Sequence, residues 1–208
     1  MVACLDDGLT FSSDSIDVER IKEDADYEGV RVKIIGSMGN AKKSLQLDIG
    51  FGDIVIPKPE LMSCPTLLDI GVSNIQVYSV ESVIAEKFQA MVVLSVVNSR
   101  MKDFYDIYTL LNRNRFDGER LKLAVFETLK RRNTSLAKDI VIFEPSFSED
   151  LKRDAMWRAF LKKINVSDLP FSKVMKEITA FLKPIYDAIL NEESFSGSWD
   201  YEKRIWVS

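Results

Sequence analysis

Apolar and polar residues alternate with a period of two through the first third of the chain. In "GVRVKII" (29–35) the apolar residues alternate with Arg31 and Lys33. In "SLQLDIGF" (44–51) they alternate with Asp48 and with small or polar residues. This is the pattern of half-buried strands. Since glycine and asparagine lie between the two segments, we expect an antiparallel hairpin with a longer loop.

Weaker strand signals lie on both sides of this hairpin. "DGLTF" (7–11) predicts a short strand, and "SIDVERI" (15–21) fits either a strand or a helix. "NIQVYS" (74–79) predicts a last short strand. The three prolines within residues 52–72 predict that this stretch is mostly loop.

From Ser79 onward the apolar period changes to the 3.6 residues of an α-helix. The predicted helices cover residues 79–96, 100–113, 117–132, 148–164 and 168–190. Ser79 and Asp117 are the expected N-caps of the first and third helices. Either Asn98 or Ser99 can cap the second, and Pro184 is expected to kink the fifth.

Two of these helices carry a predicted buried stripe. In the second helix the stripe is Phe104, Ile107, Tyr108 and Leu111. In the fourth helix we expect burial of Leu151, Ala155, Trp157 and Phe160. Aromatic side chains at helical spacing are typical of a core and do not by themselves indicate a cofactor site.

A β-rich segment followed by helices predicts an α+β fold, with an N-terminal mixed or antiparallel sheet and a C-terminal helical bundle. The expected organisation is a β-rich domain over residues 1–78, a helical domain over residues 79–190 and a polar tail over residues 191–208. In that tail Trp199 and Trp206 look exposed, and we expect the tail to dock on the body of the protein or on a neighbour.

The composition excludes several classes of enzyme. The chain of 208 residues contains no histidine, which excludes Ser–His–Asp hydrolases, Cys–His proteases and histidine metal sites. Cys4 and Cys64 lack CxxC spacing and suggest neither a zinc site nor a disulfide framework. A net charge of −4 argues against general nucleic-acid binding, and the basic run at 130–132 is more typical of a solvated face.

The sequence also lacks the patterns of a membrane span and of a signal peptide. No apolar run approaches the roughly 18 residues that a membrane span needs. The first residues, "MVACLDDGLTF", lack the basic and apolar regions of a signal peptide. We therefore expect a cytoplasmic protein without membrane contacts.

Lys87 breaks the pattern of its helix. Its neighbours at i−4, i−3, i+3 and i+4 are Val83, Ile84, Ala90 and Met91, all of them apolar. An ammonium group in an apolar stripe must pair with a carboxylate, reach water or face a polar cleft. One interpretation is a structural ion pair, and the other is a fixed cation that contacts a phosphate.

Charged residues also crowd into the start of the next predicted helix. Asp103 and Asp106 lie three residues apart on one face, and Arg100 and Lys102 lie beside them. Together with Lys87 they could form a buried charge network. Asp48, on a strand flanked by glycines, is either an exposed edge residue or a carboxylate placed for a metal or a phosphate.

Three segments resemble the AbiEii/AbiGii toxin family of nucleotidyltransferases, which have the DNA polymerase β-like nucleotidyltransferase fold. They are "LQLDIGFGD" (45–53), "ESVIAEKFQAMV" (81–92) and "SRMKDFYDIYTLL" (99–111). The resemblance implies transfer of NMP from an NTP with Mg²⁺, onto an RNA acceptor. It also implies a place in a bacterial toxin–antitoxin or phage-defence system, with an antitoxin protein as partner.

The resemblance also assigns roles to single residues. Asp48 corresponds to the third, strand-borne carboxylate, which is catalytic and binds the metal. Lys87 corresponds to the catalytic lysine that contacts the nucleotide. The last motif supplies a catalytic acid, Asp103, and the nucleotide-binding positions Arg100, Lys102 and Asp106.

One part of the family pattern is missing. The family's Gly-Ser turn and D-x-D pair of metal-binding acids belong upstream of the segment that matches Asp7. We therefore expect weak or no transfer by this chain, and exposed apolar surface that favours a homodimer or a partner. The alternative is a non-catalytic interaction module that binds a partner protein or RNA, and a third interpretation makes the charge network purely structural.

Overall fold

The described part of the chain is not continuous. The computed structural model describes residues 8–23, 27–51, 55–65 and 72–207. Cys4, Asp7 and Asp53, which the sequence interpretation mentions, lie outside these residues.

The chain divides into two compact units, Met1–Asp53 and Ile54–Ser208. An antiparallel three-stranded sheet in the first unit precedes the helices of the second, which confirms the predicted α+β class. The expected sequence domains, with boundaries after residues 78 and 190, stay a prediction.

The first unit contains a sheet of three long strands. These are β1 (Thr10–Glu23), β2 (Tyr27–Met38) and β3 (Ala41–Gly50). They pair in the order β1-β2-β3, antiparallel throughout, so the predicted antiparallel hairpin is confirmed and residues 15–21 are a strand. The expected longer loop is wrong, because Met38 pairs with Ala41 across a two-residue turn. Gly39 lies in the β2–β3 turn at a φ of 55°, a conformation that suits glycine.

The two faces of this sheet differ in polarity. Val18, Val32 and Leu47 form one row across the strands, and the next row places Arg31 opposite Asp48. Because successive side chains point to opposite faces, the first row lies on an apolar face and the second on a charged face. Val18 and Leu47 are 60% and 56% exposed.

The second unit begins with a two-stranded antiparallel ribbon of β4 (Glu60–Cys64) and β5 (Ser73–Val77). The predicted strand at 74–79 is confirmed, but the prediction of loop is wrong for residues 60–64. The prolines in this region are at positions 57, 59 and 65 and therefore flank β4 without interrupting its ladder.

Helices make up most of the second unit. They are α1 (Val80–Leu94), α2 (Met101–Leu111), α3 (Gly118–Arg131), α4 (Pro145–Glu149), α5 (Leu151–Lys163) and α6 (Phe171–Leu190). The predicted N-caps of α1 and α3 are confirmed, because Ser79 and Asp117 accept hydrogen bonds from the backbone N–H groups of Ser82 and Arg120. Within the described residues, none of the helices has the length and apolar character needed to cross a membrane.

The helix predicted over 148–164 is divided at Asp150. This residue is extended and caps α5 by accepting a hydrogen bond from the backbone N–H of Arg153. The expected burial is wrong for Leu151, which is 85% exposed, and for Ala155, which is exposed. The buried face of α5 follows another i, i+4 row: Arg153, Trp157 and Leu161.

The core of the second unit lies around α6. This helix continues through Pro184, and eleven of its twenty residues are buried. The stripe predicted for α2 is confirmed for Phe104, Ile107 and Leu111, which have no exposed surface, whereas Tyr108 is partly buried.

The C-terminal tail docks on this core. Its strands β7 (Ser198–Asp200) and β8 (Ile205–Val207) pair antiparallel and extend from β6 (Phe116–Asp117). The expectation that Trp199 is exposed is wrong. Trp199 has no exposed surface, and its indole N–H donates to the Leu111 carbonyl at 2.7 Å.

Two further contacts fix the path of the tail. Trp206 is partly buried, stacks on Phe181 at 5.4 Å between ring centroids and donates to the Phe181 carbonyl. Gly118 donates its N–H to the Gly197 carbonyl, and a Cβ on Gly118 would lie 2.6 Å from that oxygen. The close approach of the two backbones therefore requires glycine at position 118.

Candidate functional site

Helix α1 presents Lys87 between buried side chains. Ile84, Phe88 and Met91 have no exposed surface, and the Lys87 side chain is only 19% exposed. Burial of an ammonium group costs free energy unless acceptors surround it. The stem of Lys87 is therefore packed in the core, and its head group needs partners.

Helix α2 supplies these partners. The Lys87 Nζ lies 2.7 Å from Asp103 Oδ1 and 2.8 Å from Asp106 Oδ2. The two carboxylates, three residues apart on α2, are 16% and 23% exposed. The predicted charge network is confirmed for Lys87 and these two acids, whereas the prediction is wrong for Arg100, which forms no ion pair within the described residues.

A second lysine joins from the solvent side. Lys102 contacts Asp106 Oδ2 at 2.6 Å through an i, i+4 pair on α2, and its side chain is 72% exposed. We call Lys87, Lys102, Asp103 and Asp106 the charge cluster. It is electrically balanced, with two cations and two anions, and Lys87 is its most central group because it contacts both carboxylates.

The surroundings strengthen the charged forms of Lys87 and Asp106. Burial lowers the pKa of Lys87, but hydrogen bonds and charge attraction from Asp103 and Asp106 outweigh it, so this pKa lies above its usual 10.5. Burial raises the pKa of Asp106, but the two lysines outweigh it, so this pKa lies below its usual 3.8. Both groups are ionised at neutral pH.

These directions predict how stability depends on pH. Asp106 stabilises the folded state fully above its unfolded pKa, and this contribution is lost as pH falls through the lowered folded pKa. Lys87 contributes fully below its unfolded pKa, and this contribution is lost as pH rises through the raised one. Lys87 and Asp106 should therefore contribute constantly from about pH 5 to pH 9 and less on both sides.

Urea unfolding at a series of pH values measures this profile. Asp106→Asn is the matched control, because it keeps the shape of the side chain but removes its titration. The difference between the two proteins should shrink below about pH 4. An unchanged difference there would contradict the assigned pKa direction.

Arg100 and its neighbours begin α2 without the expected cap. Neither Asn98 nor Ser99 caps this helix; Arg100 occupies the N-cap position and makes no side-chain capping bond. The Asn98 side chain instead accepts a hydrogen bond from the Arg100 backbone N–H, two residues on. Asn98 thus makes an Asx-type turn before the helix, and the Arg100 side chain is exposed.

Asp48 lies on β3, in the first unit. Arg31 donates to its carboxylate through Nε at 2.8 Å and through a terminal nitrogen at 2.9 Å. Hydrogen bonding to Arg31 lowers the pKa of Asp48, and Glu19 lies 3.5 Å from the same guanidinium. The acid on this strand thus belongs to a cross-strand charged row, and its predicted roles in catalysis and metal binding stay predictions.

Arg31 was not recognised from the sequence as the partner of Asp48. A signal was available, because the hairpin register that follows from the Gly39 turn places the two residues opposite each other. Arginine also matches a carboxylate with two parallel donors, as Nε and a terminal nitrogen of Arg31 do here.

The acids of the described residues do not gather into a group. Within the residues described, no three or more carboxylate, cysteine or histidine side chains converge on one point. Asp103 and Asp106 hold an ammonium group, and Asp48 holds a guanidinium group. Mg²⁺ prefers oxygen ligands, and its binding to any of these carboxylates would compete with the cation that the carboxylate already holds.

Comparison with known proteins supplies the family. A search of the curated proteins and a search of the solved structures each returned no match. The family model described as "Nucleotidyl transferase AbiEii toxin, Type IV TA system" matches residues 2–191. The match includes the charge cluster and Asp48 and covers most of the chain. The chain therefore belongs to the AbiEii nucleotidyltransferase toxin family of type IV toxin–antitoxin systems.

Proposed function

We propose that this chain transfers a nucleoside monophosphate from an NTP to an RNA acceptor. Membership of the nucleotidyltransferase family supports the reaction class. The observation that carries the proposal is the fixed cation of the charge cluster: Lys87 is held between two carboxylates at 2.7 and 2.8 Å. A lysine positioned in this way is a compact point charge suited to a phosphate group.

The residues of the charge cluster have different proposed roles. Lys87 is the candidate for phosphate contact, because its charge is preserved by its raised pKa. Asp103 and Asp106 hold its head group in place, so that little reorganisation is needed when negative charge develops on the transferring group. Arg100 and Lys102 add exposed positive charge at the start of α2, which attracts phosphate groups to this side of the cluster.

We assign no step to Mg²⁺, because the described acids do not converge on a metal position. The role of Asp48 as a metal ligand is a separate prediction. The expected low rate of transfer stays a prediction; two-metal sites supply much of the charge stabilisation in this kind of reaction.

The partners follow from the family and from the reaction. A type IV toxin–antitoxin family implies an antitoxin. NTP and RNA are the proposed substrates, the cytoplasm is the proposed location, and phage defence is the proposed biological setting. A homodimer is proposed as the assembly.

Transfer of label from each of the four α-³²P NTPs to cellular RNA tests the proposal directly. We expect label on RNA with at least one NTP, and a loss of about 100-fold in Asp103→Asn, because the Lys87 head group would lose one of its two anchors. Asp154→Asn is the matched control, an acid in the first turn of α5 outside the cluster. No label from the folded protein with any NTP would contradict the proposal.

A second candidate function is a non-catalytic interaction module for a protein or RNA partner. The exposed apolar face of the first unit favours it, since Val18 and Leu47 are more than half exposed. Contiguous apolar surface on a sheet is typical of interaction sites. Binding of antitoxin or RNA without any transfer of label would favour this function.

A further inference from the structure

A cavity of about 560 Å³ lies between the start of α2 and the second half of α5. Arg100, Lys102 and Asp103 contribute to one wall. The other wall, from α5, includes Met156, Phe160 and Lys163. Of the charge cluster, Lys102 and Asp103 line the cavity, whereas Lys87 and Asp106 do not, so the cavity borders the cluster on the side away from Lys87.

The lining has an excess of positive charge, although the whole chain carries −4. Three cations line the cavity, and its one acid, Asp103, already contacts Lys87 at 2.7 Å. Arg100 and Lys163 are exposed and form no ion pair with any residue in the described ranges. Two free cations are therefore available to an anionic ligand.

The wall from α5 combines this charge with an aromatic surface. Met156, Phe160 and Lys163 share one helix face through i+4 and i+7 spacing. The partly buried Phe160 ring is held by edge-to-face packing on Tyr105 at 5.7 Å and by contact with Trp157 at 5.6 Å. A ring fixed in this way can stack with a flat ligand at little entropic cost.

A stacking ring beside unpaired cations is the pattern of single-stranded nucleic-acid binding. We infer that this cavity binds the single-stranded RNA acceptor, with a base on Phe160 and phosphates on Arg100 and Lys163. The inference rests on the proposed function, in which RNA is the acceptor, and adds the surface that would hold it.

The extent of the charged face favours a strand over a free NTP. Lys152 lies one turn before Met156 on the same face of α5, is exposed and makes no ion pair within the described residues. At about 1.5 Å per residue, Lys152 and Lys163 are separated by about 16 Å along the helix. Stacked nucleotides follow each other at about 3.4 Å, so this distance corresponds to several of them.

Fluorescence anisotropy with a labelled ten-nucleotide single-stranded RNA, measured without NTP, tests the inference. Phe160→Ala should weaken binding about 5- to 150-fold through lost stacking. Lys163→Ala should weaken it and reduce the slope of log affinity against log salt by about 0.7. Lys176→Ala is the matched control, because it removes an exposed lysine from α6, outside the cavity.

Two further measurements separate the outcomes. Phe160→Leu retains apolar bulk without an aromatic face, so weaker binding by this folded variant supports stacking even if Phe160→Ala does not fold. Displacement of the RNA by NTP at the concentration that saturates transfer would overturn the inference, because the cavity would then be a donor site.

The inference and the proposed function can fail separately. Phe160-dependent RNA binding without transfer of label would support the inference and overturn the proposed function. Transfer of label with wild-type RNA affinity in Phe160→Leu and Lys163→Ala would overturn the inference alone.

Discussion

Replacing Lys87 by methionine is expected to lower the free energy of unfolding by about 3 kcal/mol, the usual cost of removing one partner from a buried ion pair. Methionine keeps the apolar stem beside the buried Ile84 and Met91 of the same helix. Asp103 is then left 16% exposed without its ammonium partner. Urea unfolding followed by far-ultraviolet circular dichroism measures the loss.

Lys102→Met is the matched control for this prediction. It removes a lysine that contacts the same carboxylate, Asp106, at 2.6 Å, but from a side chain that is 72% exposed. An exposed pair contributes less than about 1 kcal/mol. Equal losses in Lys87→Met and Lys102→Met would contradict the central position assigned to Lys87.

The double variant Lys87→Met/Asp103→Leu separates a structural role from a functional one. Replacing both partners of a buried pair by apolar residues is often neutral or stabilising, so the double variant should recover most of the lost stability. It should not recover transfer of label, since the cation proposed to contact phosphate is absent. Recovery of transfer would contradict the proposed role of Lys87.

The part of the candidate site on α1 and α2 was predictable because both signals are local. Because the residues at i±3 and i±4 around Lys87 are apolar, its ammonium group requires a partner. Asp103 and Asp106 share one helix face because they are three residues apart. The contact between the two helices, which brings these groups together, is a feature of the tertiary structure. The sequence supports it only through the order of the two motifs.

The cavity beside the cluster shows what local patterns leave out. Phe160 was expected to be buried as part of a core stripe. Lys163 is one of the charged residues that end α5, and nothing in the sequence distinguishes it from the others. Their proposed role depends on the break at Asp150, which sets the helix face that is buried. The sequence is equally compatible with Asp150 as a mid-helix residue and as an N-cap, so it gives no clear signal of that break.

The prediction for Trp199 is wrong because local sequence gives no signal of its burial. Its flanking residues, "GSWDY", are small or polar and have no periodicity, so nothing local indicates burial. The partners of Trp199 are distant in sequence: Leu111 accepts its N–H, and Phe181 packs edge-to-face at 4.8 Å. Burial of this side chain depends on contacts that the tail makes only in the folded state.

Truncation of Trp199 to alanine is expected to cost about 3 to 5 kcal/mol of unfolding free energy, the range for a fully buried large aromatic residue. The family match ends at residue 191, yet the tail beyond it completes the core with a side chain that has no exposed surface. The variant should also release β7, so amide hydrogens of residues 198–200 should exchange faster relative to those of α6.

Two comparisons identify the cause of that loss. Trp199→Phe retains a ring against Phe181 but leaves the Leu111 carbonyl without its donor, so a smaller cost of about 1 to 3 kcal/mol is expected. Leu151→Ala removes apolar bulk from a residue that is 85% exposed and should change stability by less than about 0.5 kcal/mol. If Trp199→Ala cost no more than Leu151→Ala, the docked tail would not be part of the cooperative core.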